Sequence, residues 1–141
     1  KHCGPTCLES TAMENDLRAA LIAWLRADPA LATINAIEEE APLSATPPWL
    51  GIAASAGVDW GTKDRAGREI RVALELQTHT DLTAGDAGLL SAIERRVLDL
   101  PPFHPGFELA SIRFLRSRSE ARADNRRGAL LEYRFRLFVP L

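Results

Sequence analysis

The chain has 141 residues, 46% hydrophobic and 26% charged, with a formal net charge of −2. This length fits one domain with a real core, and the balance excludes a disordered, collagenous or low-complexity chain. No apolar run approaches the ~20 residues that span a bilayer, so no membrane partner is expected, and the overall charge gives no case for a nucleic-acid binder. The charge is uneven, however. From Pro101 onward eight Arg stand against four acids, giving +4 there and −6 in residues 1–100. Such a chain can offer complementary surfaces to copies of itself or to partners; chance scatter of solvated side chains gives the same arithmetic.

Residues 1–12 are expected to be a leader outside the fold, with residues 13–141 forming a single domain. Cys3 and Cys7 lie in the leader with three residues between them, whereas the redox motif has two between its thiols. With His2 they are too few for a four-ligand zinc site. Neither metal nor redox chemistry is expected there, and the rest of the chain has no cysteine.

Thr11 and Glu14 have the spacing of a capping box. Leu17, Leu21, Trp24 and Leu25 then form one helical stripe, ended by Asp28-Pro29 because proline disfavours helix in the residue before it. Ala32 to Glu40 reads as a short strand or a turn, Pro42 to Pro48 as a loop, and Trp49 to Ala54 as a short buried strand. The stretch from Gly57 to Gly67 is rich in turn residues. Arg68 to Thr78 alternates, with Ile70, Val72, Leu74 and Leu76 on one side and Arg71, Ala73, Glu75 and Gln77 on the other, as in a strand with one wet face. A second helix is expected from Thr83 or Gly85 to Leu98, with Leu89, Leu90, Ile93 and Val97 as its stripe. Phe107 to Leu115 alternates with a change of parity between Leu109 and Ile112, the signature of a bulge. Arg116 to Arg127 reads as a polar connection around Asp124-Asn125, and Ala129 to Val139 as a last strand with Leu131, Tyr133, Phe135 and Leu137 inward. Together these elements predict an α+β two-layer sandwich, a mostly antiparallel four- to five-stranded sheet with two amphipathic helices on one face.

Catalytic equipment is missing from this pattern. Gly51, Gly57 and Gly61 fit neither dinucleotide nor P-loop spacing. His79 and His104 lack a Cys partner or a second His at metal-binding spacing, and both read as polar surface groups. Glu38, Glu39 and Glu40 could gather a cation, but a run of three reads first as a solvated face. Arg126-Arg127 could contact phosphate, but beside Asp124-Asn125 and Gly128 it reads first as a hairpin loop. Trp60, amid Asp59, Gly61, Thr62 and Lys63, is either a core plug under a loop or an exposed anchor for a partner. No catalytic residue, cofactor or metal ligand is assigned.

From Met13 to Phe138 the chain resembles the tail-completion proteins of tailed bacteriophages, also called tail terminators or tail-to-head joining proteins, which have relatives in gene transfer agents and defective prophages. Four stretches carry the resemblance: the opening helix from Glu14 to Leu25 with Asp28-Pro29-Ala-Leu31; Pro48-Trp-Leu-Gly-Ile52; Trp60-Gly-Thr-Lys63 with Gly67, Glu69 and the strand ending at Gln77-Thr78; and the Arg-rich turn to Gly128 followed by Tyr133-Arg-Phe-Arg136. The resemblance implies structural work rather than catalysis: a ring, usually of six copies, on the head-proximal end of the tail tube, stopping tube growth and docking the head connector. The implied partners are copies of itself, the major tail-tube protein and a head connector or adaptor, with DNA passing through unbound. The implied location is the tail–head junction of the virion, after synthesis in the bacterial host cytoplasm. A closed ring joins two different patches of one subunit. Trp60, Lys63 and Arg65 are the candidates for one patch, Arg118, Arg126 and Arg127 for the other, and Glu38, Glu39 and Glu40 for the lumen lining. The alternatives are another neck component, such as a head–tail adaptor, and a small ligand-binding domain.

Overall fold

The computed structural model describes residues 5–40, 45–79 and 83–141. Helix α1 (Pro5–Arg26) leads through a 3-10 turn at Pro29–Leu31 to strand β1 (Ala36–Glu38). Strands β2 (Trp49–Asp59) and β3 (Gly67–His79), helix α2 (Thr83–Leu98) and strands β4 (Phe103–His104), β5 (Phe107–Arg122) and β6 (Arg126–Phe138) follow. The sheet order is β1-β2-β3-β6-β5-β4, parallel between β1 and β2 and antiparallel elsewhere.

The α+β class and a mostly antiparallel sheet agree with the sequence reading, but the sheet has six strands rather than four or five, and its β1–β2 pair is parallel. The added strands are short edges. Ile37 anchors β1 in the core, and Phe103–His104 pairs with Phe107 and Glu108 at the other margin. The turn-rich reading of Gly57–Gly67 is corrected as well, because β2 continues through Ala56, Gly57 and Val58 to Asp59, paired with β3 from Arg71 to Arg68. Cross-strand pairing outweighs the weak strand preference of Ala, Ser and Gly. The connection expected over Arg116–Arg127 is instead mostly strand, since β5 pairs with β6 as far as Arg122↔Arg126. Only 123–125 form the turn, with Asp124 and Asn125 at φ 59° and 60°, a left-handed conformation that these two residue types tolerate. The expected bulge occurs between Leu109 and Ser111, and a second register shift follows between Phe114 and Arg116. The loop expected over Pro42–Pro48 lies partly outside the described residues, as does Cys3.

One face of the sheet carries the core. Ile70, Val72, Leu74 and Leu76 of β3 and Leu131, Tyr133, Phe135 and Leu137 of β6 are buried, together with Met13, Leu17, Leu21 and Leu25 of α1 and Ile93 and Val97 of α2. These are the stripes read from the sequence, and each buried aliphatic or aromatic side chain contributes about 1.5–3 kcal/mol. The helices are locked at one crossing. Arg96 of α2 lies 3.4 Å over the Trp24 ring and donates to the Trp24 carbonyl at 2.9 and 2.7 Å, while Trp24 Nε1 donates to the Arg96 carbonyl at 2.7 Å. Because α1 already begins at Pro5, Thr11 and Glu14 are not its cap. Glu14 instead takes Arg68 of β3 at 2.6 Å. A Cβ on Gly57 would fall 1.9 Å from Glu14 Oε1, so glycine there leaves the room this pair occupies.

Candidate assembly surfaces

The three long strands β3, β6 and β5 run between two unlike ends. At the first, residues 60–66 fold back over the end of β6. Trp60 is half-buried, its ring centroid 5.0 Å from that of Phe138, and the Arg136 guanidinium lies 5.2 Å over it. Arg65 sits 4.6 Å over the Phe138 ring, pairs with Glu108 at 3.1 Å and donates to the Val139 carbonyl at 2.9 Å. Backbone bonds from Thr62 to the Arg65 carbonyl at 2.7 Å and from Val139 to the Ala66 carbonyl at 3.0 Å complete the lock. Gly67 is required by close approach, as a Cβ there would lie 2.7 Å from the Leu137 carbonyl oxygen. Trp60 is thus part plug and part surface. Lys63 at the tip is exposed, whereas the Arg65 guanidinium is engaged within its own chain.

The second end is the β5–β6 hairpin, where Arg118 and Arg122 are exposed and Arg126 and Arg127 half-buried. Arg122 pairs with Glu75 at 3.4 Å and with Glu120 at 3.1 Å, and Arg126 donates to Gln77 at 3.3 Å. Arg118 has no ion-pair partner among the described residues, and the Arg127 Nε is buried without a hydrogen bond there. Counted along β6, Arg127 and Phe138 stand about 36 Å apart at the usual rise of a strand. The interface residues read from the sequence therefore form two groups at opposite ends of one sheet.

Between the ends, the sheet face away from the helices is a lattice of charges. Glu69 takes Arg136 at 3.0 Å and Arg134 at 3.9 Å, and Arg116 bonds Glu132. Arg71, Arg134 and Arg113 fall in one cross-strand row, where like charges directly opposite each other oppose pairing. Ion pairs of this exposure each contribute about 0–1 kcal/mol, so this face holds the fold less firmly than the core face does. Under that core face, the Tyr133 hydroxyl is buried with no hydrogen-bond partner among the described residues. Burial, and secondarily the nearby Glu94, pushes its pKa well above the ordinary tyrosine value.

The acidic candidates lie at the opposite sheet edge. Glu38, Glu39 and Glu40 are all exposed; Glu38 is held by Arg26 at 2.6 Å, and Glu39 lies 3.9 Å from Arg18. His104 stacks on Phe107 at 4.4 Å with Nε2 2.6 Å from the Pro101 carbonyl oxygen. Among the described residues no group of three His, Cys, Asp or Glu is placed to hold a metal ion, and no helix is long and apolar enough to cross a membrane. The sequence reading missed Phe138 and Glu108, the partners that fix the 60–66 loop. Phe138 follows the inward run of β6 but lies on the other face, where only the register shows that it meets Trp60.

A charged sheet face backed by a helix-covered core, with a locked loop at one end and an arginine hairpin at the other, defines a small α+β module built around surfaces rather than a pocket. The chain belongs to the family described as Tail completion protein gp17, which matches residues 19–137. It is therefore a structural component of the phage tail and neck. No curated protein matches the chain. Among solved structures, its fold is similar to that of a chain in "Virion of native gene transfer agent (GTA) particle", with a TM-score of 0.74 at 20% identity, covering 86% of this chain and 94% of that one.

Proposed function

We propose that this chain caps the head-proximal end of a tail tube as a six-membered ring, ending tube growth and joining the tail to the head connector. The match to the tail-completion family across residues 19–137 carries this reading. Two observations support it. The similar fold occurs in a chain of a gene transfer agent virion, and the two unlike ends of the sheet give one subunit two different patches, as a closed heterologous ring requires. In this reading the family domain spans residues 13–141, with residues 1–12 outside it. Trp60, Lys63 and Arg65 contribute one patch, with Arg65 acting by holding the loop. Arg118, Arg126 and Arg127 contribute the other. Glu38, Glu39 and Glu40 line the lumen, where negative charge keeps passing DNA from sticking. The partners are copies of the chain, the tail-tube protein and a head connector. The place of action is the tail–head junction of the virion, and the chain is made in the cytoplasm of the bacterial host.

The test is electron microscopy of particles from a strain lacking the gene. Filled heads without tails beside loose tubes of irregular length are expected. Normal tailed particles would remove the role, and heads leaking their DNA would reassign the chain to the head-side adaptor. A ring structure with Glu38–Glu40 on its outer wall would refute the lumen assignment.

A further inference from the structure

The sheet has two open edges. On one side β1 pairs only with Trp49, Leu50 and Gly51 of β2, so Ala53 to Asp59, paired with β3 on its inner side, has no strand on its outer side among the described residues. On the other, β4 pairs only with Phe107 and Glu108, which leaves the outer side of Ala110 to Arg122 of β5 without a strand among the described residues. Unpaired strand edges are templates for another chain, and monomeric proteins blunt them with Lys, Pro or covering elements. The open part of β2, Ala-Ala-Ser-Ala-Gly-Val-Asp, contains neither Lys nor Pro, and that of β5 contains no Pro. The edges also differ in charge. Arg113, Arg116, Arg118 and Arg122 lie on the β5 side against Glu120, while Glu38, Glu39, Glu40 and Asp59 lie on the β1–β2 side.

We infer that the two edges are made for each other: the open edge of β5 in one copy adds to the β1–β2 edge of the next, so that the sheet continues through the assembly. This rests on the ring reading above and moves its contact: with the ring axis along the strands the copies meet side by side at these edges, and the Trp60 end and the hairpin end lie above and below that contact rather than against each other. Strand direction permits it, because β2, β3, β6 and β5 alternate in direction, so β2 and β5 run opposite ways. A neighbour related by rotation about a ring axis along the strands therefore presents β2 antiparallel to β5, continuing the alternation. Register assigns the charges. Glu38 is level with Gly51, Gly51 with Glu75, Glu75 with Leu130 and Leu130 with Arg118. With copies at equal height, Arg118, which has no ion partner among the described residues of its own chain, meets Glu38 of the next copy. Arg116 is level with Ala54, beyond the end of β1, where the neighbouring strand steps in beside β2 and a small exposed residue leaves it room. The rival arrangement, β5 on β5 about a two-fold axis, opposes arginine to arginine and closes a dimer rather than a ring.

The test compares hydrogen exchange of the full-length chain free and assembled on tail tubes, with ring formation followed by native mass spectrometry and microscopy. Alternate amides in 53–59 and in 110–122, those facing away from β3 and β6, are expected to slow about tenfold or more on assembly. Glu38→Arg alone and Arg118→Glu alone are each expected to raise the midpoint concentration for assembly about tenfold, and the double variant, which restores the pair across every contact, to return it toward the parent. Both side chains are exposed, so thermal unfolding of the free variants serves as the control for folding. Rings in which both edges exchange as fast as in the free chain, or in which the double variant is as weak as the singles, overturn the edge pairing and leave the ring reading intact. No ring under any condition overturns both.

Discussion

The two ends of the long strands β3, β6 and β5 are made from the same ladder yet held in opposite ways. At the Trp60 end, an aromatic pair, two guanidinium–ring contacts, a Glu108 ion pair and the Val139–Ala66 backbone bond join residues more than forty positions apart in sequence. At the hairpin end the strands turn through 123–125, and of the four arginines Arg122 holds Glu75 and Glu120 and Arg126 holds Gln77. The first end spends its polar groups on itself. The second leaves them available, which is what an assembling subunit needs at a contact surface. A shape fixed by one end and charges offered by the other are separable properties, so substitutions should separate them.

The largest effect is expected at the locked end. Trp60→Ala removes the Phe138 and Arg136 contacts of a half-buried ring and should cost about 3 kcal/mol in urea unfolding; a loss below about 1 kcal/mol would mean that the loop is held by its backbone alone. Gly67→Ala follows at about 2 kcal/mol, because the new Cβ must push against the Leu137 carbonyl oxygen 2.7 Å away. At the hairpin end only the backbone should be sensitive. Asp124→Val, at φ 59°, should cost about 1–2 kcal/mol and Asp124→Gly nothing; equal losses would point to a contact of the Asp124 side chain instead.

Midway along β6, Tyr133 is a control belonging to neither end. Its pKa is raised in the folded chain, so its stabilising effect is complete below the unfolded value of about 10 and is lost as pH rises above it. Tyr133→Phe should therefore change stability little at pH 7, since the hydroxyl leaves no partner behind, and should flatten the decline above pH 10. An unchanged alkaline slope would assign that decline elsewhere. A small effect on folding is also expected from Arg126→Glu with Arg127→Glu, within about 1 kcal/mol by thermal melt, yet ring assembly should weaken. Normal rings at physiological salt would remove these two residues from the contact.

Much of this was legible in the chain itself. The stripe Leu17, Leu21, Leu25 and the alternation of β3 and β6 determined which side chains enter the core, because burial follows the period of the backbone. The bulge near Leu109 was legible for the same reason, as a change of parity. The residues now grouped at the two ends were also singled out from sequence, although their division between ends about 36 Å apart required the pairing of β3 with β6. What the tertiary structure alone decided was where strands end and which side chains meet across them. Gly57 to Asp59 and Arg116 to Arg122 have turn-like or polar composition and became strand because a partner ladder satisfied their backbone groups, a gain that no local pattern records. Glu14 looked like a cap and became the partner of Arg68, and Trp60 acquired its ring partner from the far end of the chain. Periodicity is a local property and can be read along one strand; register and edges belong to pairs of strands, and they exist only once the chain has folded.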